Sequence, residues 1–382
     1  MALPIALVTV LQASGCSSGG ASLPAPGGVY SSESAGAHFD QSVAIAQSEE
    51  GENVASFVLR GADRPANRPN EVYVAAGSNG IIFSSTGGAD WQLITTPLTS
   101  VSDVVALLNG VLVAAGTDAT GQGFVIRSAD QGLSWQTVLT IPVPVKERRT
   151  LIGGSTQGSQ SVVISIAPDP FRDDQVYAGT SLGNVLLGEQ SAKTWRTISS
   201  LDDGSIASSQ NRGKSAIVDI IPSPHVAGEV LLITTDGTLW RLSPEEKAEL
   251  NIPRNLEPTR RFSFSGRSRV VQGVAFISTD ADVLLAGVDD GAVISRDRGE
   301  TWQELPLPID VTGDFNSATI AVSPTNNARI LIGINGVVYR SEDGGLSWNT
   351  FSLGLKNHAI TSLLIDPTNA SNVLAITTPL GS

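Results

Sequence analysis

An eight-residue pattern that ends in tryptophan recurs along this chain of 382 residues and constrains its fold more than any other feature. The pattern is Ser-x-Asp-x-Gly-x-Ser/Thr-Trp, and we call each copy an octet. The complete octets are built on Ser128, Asp130, Gly132 and Trp135, on Ser295, Asp297, Gly299 and Trp302, and on Ser341, Asp343, Gly345 and Trp348. Degenerate octets end at Phe39, Trp91 and Trp195.

The spacing of the octets predicts a repeat architecture. The gap between Trp195 and Trp302 is about twice as wide as the others, and residues 231–241 supply the missing member, whose octet is displaced by an insertion at 243–258. The chain therefore holds seven repeats with a mean length of about 51 residues, a period typical of a propeller or a solenoid.

Each repeat contains several strand signals. The segment before most octets has an apolar strand end, a turn rich in Pro, Asn and Asp, and a β-branched run, as at residues 166–180, 221–234, 322–333 and 365–377. With the octet as a hairpin, the unit has four antiparallel strands, which is one propeller blade. Residues 28–39 and 360–378 each supply half a unit. We therefore predict an all-β, seven-bladed propeller over residues 28–382, its last blade closed by the N- and C-terminal strands.

The start of the chain predicts export and a lipid anchor. Residues 2–11 form an apolar run that is too short to span a bilayer and suits a signal-peptide core. Ala13-Ser-Gly-Cys16 resembles a bacterial lipobox, although Ala13 stands where Leu is usual and no Lys or Arg precedes Arg60. We expect a signal peptide at 1–15, lipidation of Cys16, a flexible tether at 16–27, and a location on a membrane facing the periplasm or the cell exterior.

The octets resemble the Asp-box of bacterial neuraminidase (BNR) repeats. Such repeats occur in sialidases, xyloglucanases, sortilin-type receptors and the photosystem II assembly and stability factors, and the resemblance covers roughly residues 28–382. It implies that the octets lie on an outer rim and that Asp130, Asp297 and Asp343 are structural. In physical terms, the Asp accepts backbone N–H bonds in a hairpin, the Gly allows a positive φ, and the Trp packs beneath.

The sequence contains few candidates for catalytic residues. A sialidase-like site would need an arginine cluster, a Tyr nucleophile with a carboxylate partner, and an Asp acid, but each Tyr occupies a repeat position and the Arg-Ile-Pro signature is absent. A glycosidase with two carboxylates stays open, because Asp118, Asp236, Asp289 and Asp290 fall in loops on the face where propellers usually bind ligands. The alternative is that these residues are turn formers.

Composition excludes further classes of function. Lys and Arg number 24 against 37 Asp and Glu, and a net charge of −13 argues against a nucleic-acid binder. The single Cys rules out a disulfide within the chain. The three His are scattered without metal-ligand spacing, and no phosphate loop is present, so we predict no metal and no cofactor.

Basic residues are concentrated in the connections that follow three consecutive fourth strands, and the predicted partner-binding members are Lys146, Arg148, Arg149, Arg212, Lys214, Arg267 and Arg269. We call these seven the basic set. They form either an interaction face for an acidic partner or a solvated fringe. The sequence thus predicts a non-catalytic scaffold that binds a protein partner, with a membrane complex as one candidate, and that resembles the photosystem II assembly and stability factors most in its layout. The alternative is a carbohydrate-active enzyme, sialidase-like or xyloglucanase-like, or a glycan-binding propeller.

Overall fold

The computed structural model describes residues 28–44, 61–141, 161–201, 216–244, 256–261, 269–277, 280–309, 318–352, 354–355 and 358–379. Within these ranges every regular element is a β-strand, and the 28 strands form seven antiparallel sheets of four. This confirms the predicted fold class, a β-propeller of seven four-stranded blades. The described part of the chain contains no helix long and apolar enough to cross a membrane.

The chain divides into a larger unit, Met1–Thr95 with Phe262–Ser382, and a smaller unit, Thr96–Arg261. The first strands of the larger unit are β1 (Gly28–Ser32), β2 (Asp40–Ala44), β3 (Ala62–Asp63), β4 (Val72–Ala75), β5 (Ile81–Ser84) and β6 (Gln92–Ile94). The smaller unit contains β7 (Ser100–Ala106), β8 (Leu112–Thr117), β9 (Gly123–Ser128), β10 (Gln136–Thr140), β11 (Val163–Pro168), β12 (Val176–Thr180), β13 (Asn184–Glu189), β14 (Thr194–Ser200), β15 (Ile217–Pro222), β16 (Val230–Thr234), β17 (Leu239–Pro244) and β18 (Leu256–Arg261). The larger unit resumes with β19 (Val271–Ile277), β20 (Asp280–Val288), β21 (Gly291–Ser295), β22 (Gln303–Glu304), β23 (Ala318–Val322), β24 (Ile330–Ile334), β25 (Val337–Ser341), β26 (Asn349–Phe351), β27 (His358–Ile365) and β28 (Val373–Pro379).

The smaller unit has three blades, each a meander of consecutive strands, and their first strands β7, β11 and β15 pack side by side. The second strands β12 and β16 are buried along their whole length, because each sheet has another sheet against its face. Side chains also join the first strands: the two carboxylate oxygens of Asp103 accept bonds from the backbone N–H groups of Val104 (2.8 Å) and Ile166 (2.7 Å). The apolar cores of the unit lie between blades, because each buried cluster combines side chains from two neighbouring sheets.

The larger unit has four blades, and one of them combines strands from both ends of the chain in the order β2-β1-β28-β27. Strand β1 pairs with β28, and Val29 lies opposite Ile376. The Thr377 hydroxyl accepts a bond from the Gly28 N–H and donates one to the Gly28 carbonyl, both at 3.2 Å. Phe39, at the end of the degenerate octet, is buried in the same core. This confirms the prediction that the last blade is completed by the N-terminal strand.

A buried ion pair joins two blades of the larger unit. Arg64 follows β3 and Asp366 follows β27, and Nη2 of the arginine lies 2.5 Å from Oδ2 of the aspartate. The two side chains are only 4% and 6% exposed. Arg64 Nε also donates to the Pro69 carbonyl at 2.6 Å, so the guanidinium links two connections.

Candidate functional site

The octet aspartates are bonded within their own turns. Asp130 Oδ1 accepts bonds from the Ser128 hydroxyl (2.7 Å) and the Ser134 backbone N–H (2.9 Å), and Oδ2 accepts from the Ser134 hydroxyl (2.5 Å). Ser128 Oγ in turn accepts the Gly132 N–H at 2.8 Å. Hydrogen bonds from the Ser134 and Ser128 hydroxyls lower the Asp130 pKa to about 2, so this carboxylate is ionised and fixed in place.

The other complete octets repeat this geometry. Asp297 accepts bonds from Ser295 Oγ, Thr301 N and Thr301 Oγ1 at 2.8, 2.8 and 2.6 Å. Asp343 accepts bonds from Ser341 Oγ, Ser347 N and Ser347 Oγ at 2.8, 2.9 and 2.5 Å. Gly132, Gly299 and Gly345 have φ of 87°, 88° and 92°, which L side chains rarely adopt.

The tryptophans lie under these turns. The indole N–H of Trp348 donates to the Gly345 carbonyl at 3.1 Å, and Trp91 bonds the Gly88 carbonyl in the same way at 2.9 Å. Trp302 is buried, whereas Trp135 is half-buried. Because each octet carboxylate is bonded through both oxygens inside a turn, the octets supply no reactive group.

The four tyrosines are all buried. Tyr73 donates its hydroxyl to Glu71 (2.9 Å), Tyr177 donates to Asp169 (3.0 Å), and Tyr30 Oη lies 3.3 Å from Nε2 of His358. Burial raises the pKa of each of these three hydroxyls. Burial and a raised pKa both oppose the role of a nucleophile, which needs an accessible, readily deprotonated oxygen.

Two of the loop aspartates are turn residues. Asp118 Oδ1 accepts bonds from the Thr120 N–H, the Thr120 hydroxyl and the Gln122 N–H at 2.8, 2.7 and 3.0 Å, and the Thr120 hydroxyl bond is the largest cause of its lowered pKa. Asp236 Oδ1 accepts bonds from the Thr234 hydroxyl (2.5 Å) and the Thr238 N–H (3.3 Å). Both residues therefore hold the shape of their own loop.

Asp290 has a different environment, because it faces Arg269. The guanidinium Nε lies 3.0 and 3.1 Å from the two carboxylate oxygens of Asp290, and Nη2 bonds Glu304. The arginine side chain is 11% exposed, against 41% for Asp290 and 70% for Glu304. Burial acts to lower the Arg269 pKa, but the hydrogen bond to Glu304 and the charges of both carboxylates outweigh it and leave the pKa raised.

A cavity of about 340 Å³ opens beside this cluster. It lies between the β20–β21 connection and the segment that follows β22. Its wall consists of Arg269, Asp290, Gly291, Ala292, Glu304, Leu305, Leu307 and Ile309. We call it the Arg269 cavity. The structure thus brings together one member of the basic set and one of the loop aspartates, which the sequence had assigned to different hypotheses.

Other predicted residues lie outside the described residues: Cys16, Lys146, Arg148, Arg149, Arg212, Lys214 and Arg267, with the signal peptide and the tether. No group of His, Cys, Asp and Glu in the described ranges could hold a metal ion. Sequence reasoning missed Glu304 and the apolar wall after it. Their signal was the alternation in Glu-Leu-Pro-Leu-Pro-Ile at 304–309, which places Leu305, Leu307 and Ile309 on one side.

No protein-family model and no curated protein sequence matches the chain. The structure is similar to YCF48 from Cyanidioschyzon merolae, with 16% identity, a TM-score of 0.59, and coverage of 84% of this chain and 95% of that one. It is similar to YCF48 bound to D1 peptide, with 18% identity, a TM-score of 0.53, and coverage of 84% and 94%. It is also similar to the GH74 xyloglucanase from Xanthomonas campestris, with 15% identity, a TM-score of 0.59, and 85% of this chain covered, but this chain spans only 51% of the enzyme. At these identities the likeness shows the fold alone.

Proposed function

We propose that this protein is a non-catalytic scaffold that binds a protein partner during assembly of a complex. We further propose that it is exported and held on a membrane by a lipid on Cys16. The octets resemble BNR repeats, which the photosystem II assembly and stability factors also contain, and the match to YCF48 covers 84% of this chain and 95% of YCF48. YCF48 has been solved with a D1 peptide, and a peptide segment of another protein is the kind of partner we propose here.

The observation that carries the proposal is the bonding of the acidic side chains. A glycosidase needs two carboxyl groups about 5 to 10 Å apart across the scissile bond, one of them able to donate a proton. Of the four loop aspartates, Asp118 and Asp236 accept bonds from their own loops, Asp290 contacts Arg269, and Asp289 has its Oδ1 buried from solvent. The chain also spans about half of the xyloglucanase and nearly all of YCF48. These facts favour the scaffold over the carbohydrate-active alternative.

The basic set is the proposed docking region for an acidic part of the partner. Arg269 is excluded from it, because two carboxylates neutralise its charge. Reversal of Arg148, Arg149 and Arg267 to Glu should slow partner capture and flatten its salt dependence while the melting temperature stays unchanged. Capture at an unchanged rate at low salt would assign these side chains to a solubilising fringe.

The experiment that tests the function uses the tagged full chain, expressed in its native cell. After chemical crosslinking, membranes are solubilised and the proteins attached to the chain are identified, with the Cys16→Ser variant in parallel. A stoichiometric protein partner that is captured by the wild type supports the scaffold. Hydrolysis of xyloglucan or a sialoside by the purified protein, lost in Asp290→Asn, would instead establish the enzyme.

A further inference from the structure

We propose that the Arg269 cavity binds a lysine or arginine side chain from an extended segment of the partner, an inference that rests on the proposed protein-binding function. The cavity has the two parts that such a side chain requires. Acidic oxygens for its charged end lie at Asp290 and Glu304. An apolar wall for its methylene stem consists of Leu305, Leu307 and Ile309.

The relative exposure of the three charged side chains indicates which sign of charge a ligand of this cavity should carry. Arg269 is the least exposed member of the cluster at 11%, and its bonds run to both carboxylates. Asp290 and Glu304 retain much more accessible surface, so a ligand meets the carboxylates before it meets the guanidinium. Among the described residues that line the cavity, two negative charges against one positive charge give a net charge of −1. An anionic ligand would be repelled there, whereas a cation would be attracted.

Glu304 also has acceptor capacity to offer. An ionised carboxylate has about four lone-pair sites on its two oxygens. Glu304 contacts Arg269 through Oε1, and its 70% exposed side chain can accept further donors from solvent or a ligand. A lysine ammonium carries three donors and a guanidinium carries five, so either group can bond Glu304 without displacing Arg269.

The apolar wall fits the stem of the same side chain. Leu305, Leu307 and Ile309 are half-buried and alternate with the exposed residues Pro306 and Pro308, so the three apolar side chains share one side of an extended segment. They pack against a buried cluster that contains Ile294, Ile332 and Tyr339. Lys and Arg characteristically lay their methylenes along such a surface while the charged end stays in water.

The site is held in shape before any ligand arrives. The Leu305 N–H donates to the Ala292 carbonyl at 2.9 Å, and the Asp289 N–H donates to the Val270 carbonyl at 3.1 Å. Arg269 is fixed at both ends of its guanidinium. A preformed site reduces the ordering cost of binding, which favours an extended peptide that inserts one side chain over a partner that must remodel the loop.

The test selects peptides from a phage-displayed library of random 12-mers on the immobilised full chain. The wild type should enrich peptides with Lys or Arg next to Leu, Ile or Val. In anisotropy measurements with the synthesised peptides, Glu304→Gln should weaken binding about two- to fivefold. Asp290→Asn combined with Glu304→Gln changes the local charge to +1 and should reverse the preference toward peptides with Asp or Glu. Ile309→Ala should weaken binding of the basic peptides with no change of charge preference.

Glu300→Gln is the matched control, because Glu300 is an exposed carboxylate in the octet of the same blade; it should bind the peptides as the wild type does. Melting curves establish that every variant is folded, and Glu304→Gln alone decides the question if the double variant is unstable. Peptides without basic residues, affinities unchanged by Glu304→Gln, or no enriched peptide at all would overturn the cavity proposal. If the crosslinked native partner is still captured by these variants, the scaffold function stands without the cavity; if the wild type captures no partner, the function itself fails.

Discussion

Arg64→Met should destabilise the protein far more than loss of an exposed ion pair, because Arg64 and Asp366 join two blades in a buried setting. The two side chains are 4% and 6% exposed. Removal of one partner from a buried pair costs about 3–5 kcal/mol, since the remaining charge stays without compensation. The matched control is Arg329→Met, whose partner Glu342 is 41% exposed; such surface pairs contribute about 0–1 kcal/mol.

The two single variants, Arg64→Met and Asp366→Asn, should differ in how much they lower the free energy of unfolding. In Arg64→Met, Asp366 retains bonds from the Thr368 N–H and hydroxyl, both at 2.7 Å, and from the Asn369 N–H at 3.1 Å, so we expect a cost near 3 kcal/mol. In Asp366→Asn, the buried guanidinium retains its bond to the Pro69 carbonyl. We expect that variant to cost nearer 5 kcal/mol.

Urea denaturation followed by tryptophan fluorescence measures these costs, and the double variant measures the coupling. Because Arg64 and Asp366 are in direct contact, the double variant should cost about 1–3 kcal/mol less than the sum of the single variants. Additive costs, or an Arg64→Met cost no larger than that of Arg329→Met, would refute the reasoning.

Measurement of the free energy of unfolding at several pH values tests the direction of the Asp366 pKa shift. Burial acts to raise the Asp366 pKa, but hydrogen bonds from Thr368 and Asn369 and the charge of Arg64 outweigh it and leave the pKa below its usual value. Stabilisation from a lowered carboxyl pKa is present above the unfolded pKa and is lost as pH falls through the folded one. The difference between wild type and Arg64→Met should therefore shrink below about pH 4.

Three further predictions follow from other parts of the molecule. Trp302→Ala should destabilise the fold by about 3–5 kcal/mol in the same urea assay, and Trp348→Ala by less, because Trp302 is buried whereas Trp348 is half-buried; unchanged midpoints would contradict the packing of the octets. Burial raises the pKa of Asp219 to about 6, so the folded protein loses stability as pH rises from about 4 to 6, and Asp219→Asn should recover about 2–3 kcal/mol at pH 8 and almost none at pH 4. Cys16→Ser should release the protein from membranes into the soluble extracytoplasmic fraction, and unchanged fractionation would exclude the lipid anchor.

The blades were predictable because their signals are local. Each octet closes its hydrogen bonds within eight residues, as Ser341, Asp343 and Ser347 show, so the sequence pattern contains the whole turn. Strand pairing within a blade also joins consecutive segments, with one exception. The pairing of β1 with β28 was still predictable, because each end of the chain carried half of a repeat.

The contacts between connections were not predictable from the sequence, because they join residues that are far apart in it. Arg64 and Asp366 lie 302 residues apart, and Arg269 lies 21 and 35 residues from Asp290 and Glu304. A repeat pattern fixes which strands pair, but the reach of a side chain from one connection to another depends on loop conformation. The sequence placed Arg269 in a basic set for this reason, whereas its structural neighbours are acidic.

The loop aspartates show what distinguishes a binding group from a turn former in this protein. Asp118 and Asp290 occupy equivalent connections between second and third strands, so residue type and position in the repeat could not separate them. Asp118 accepts three bonds from its own loop through one oxygen and fixes the turn. Asp290 instead contacts a guanidinium at the wall of a cavity and is 41% exposed there. The accessible surface of a carboxylate beside an apolar wall, rather than its acidity, therefore marks the Arg269 cavity as a place that suits a basic side chain of the proposed partner.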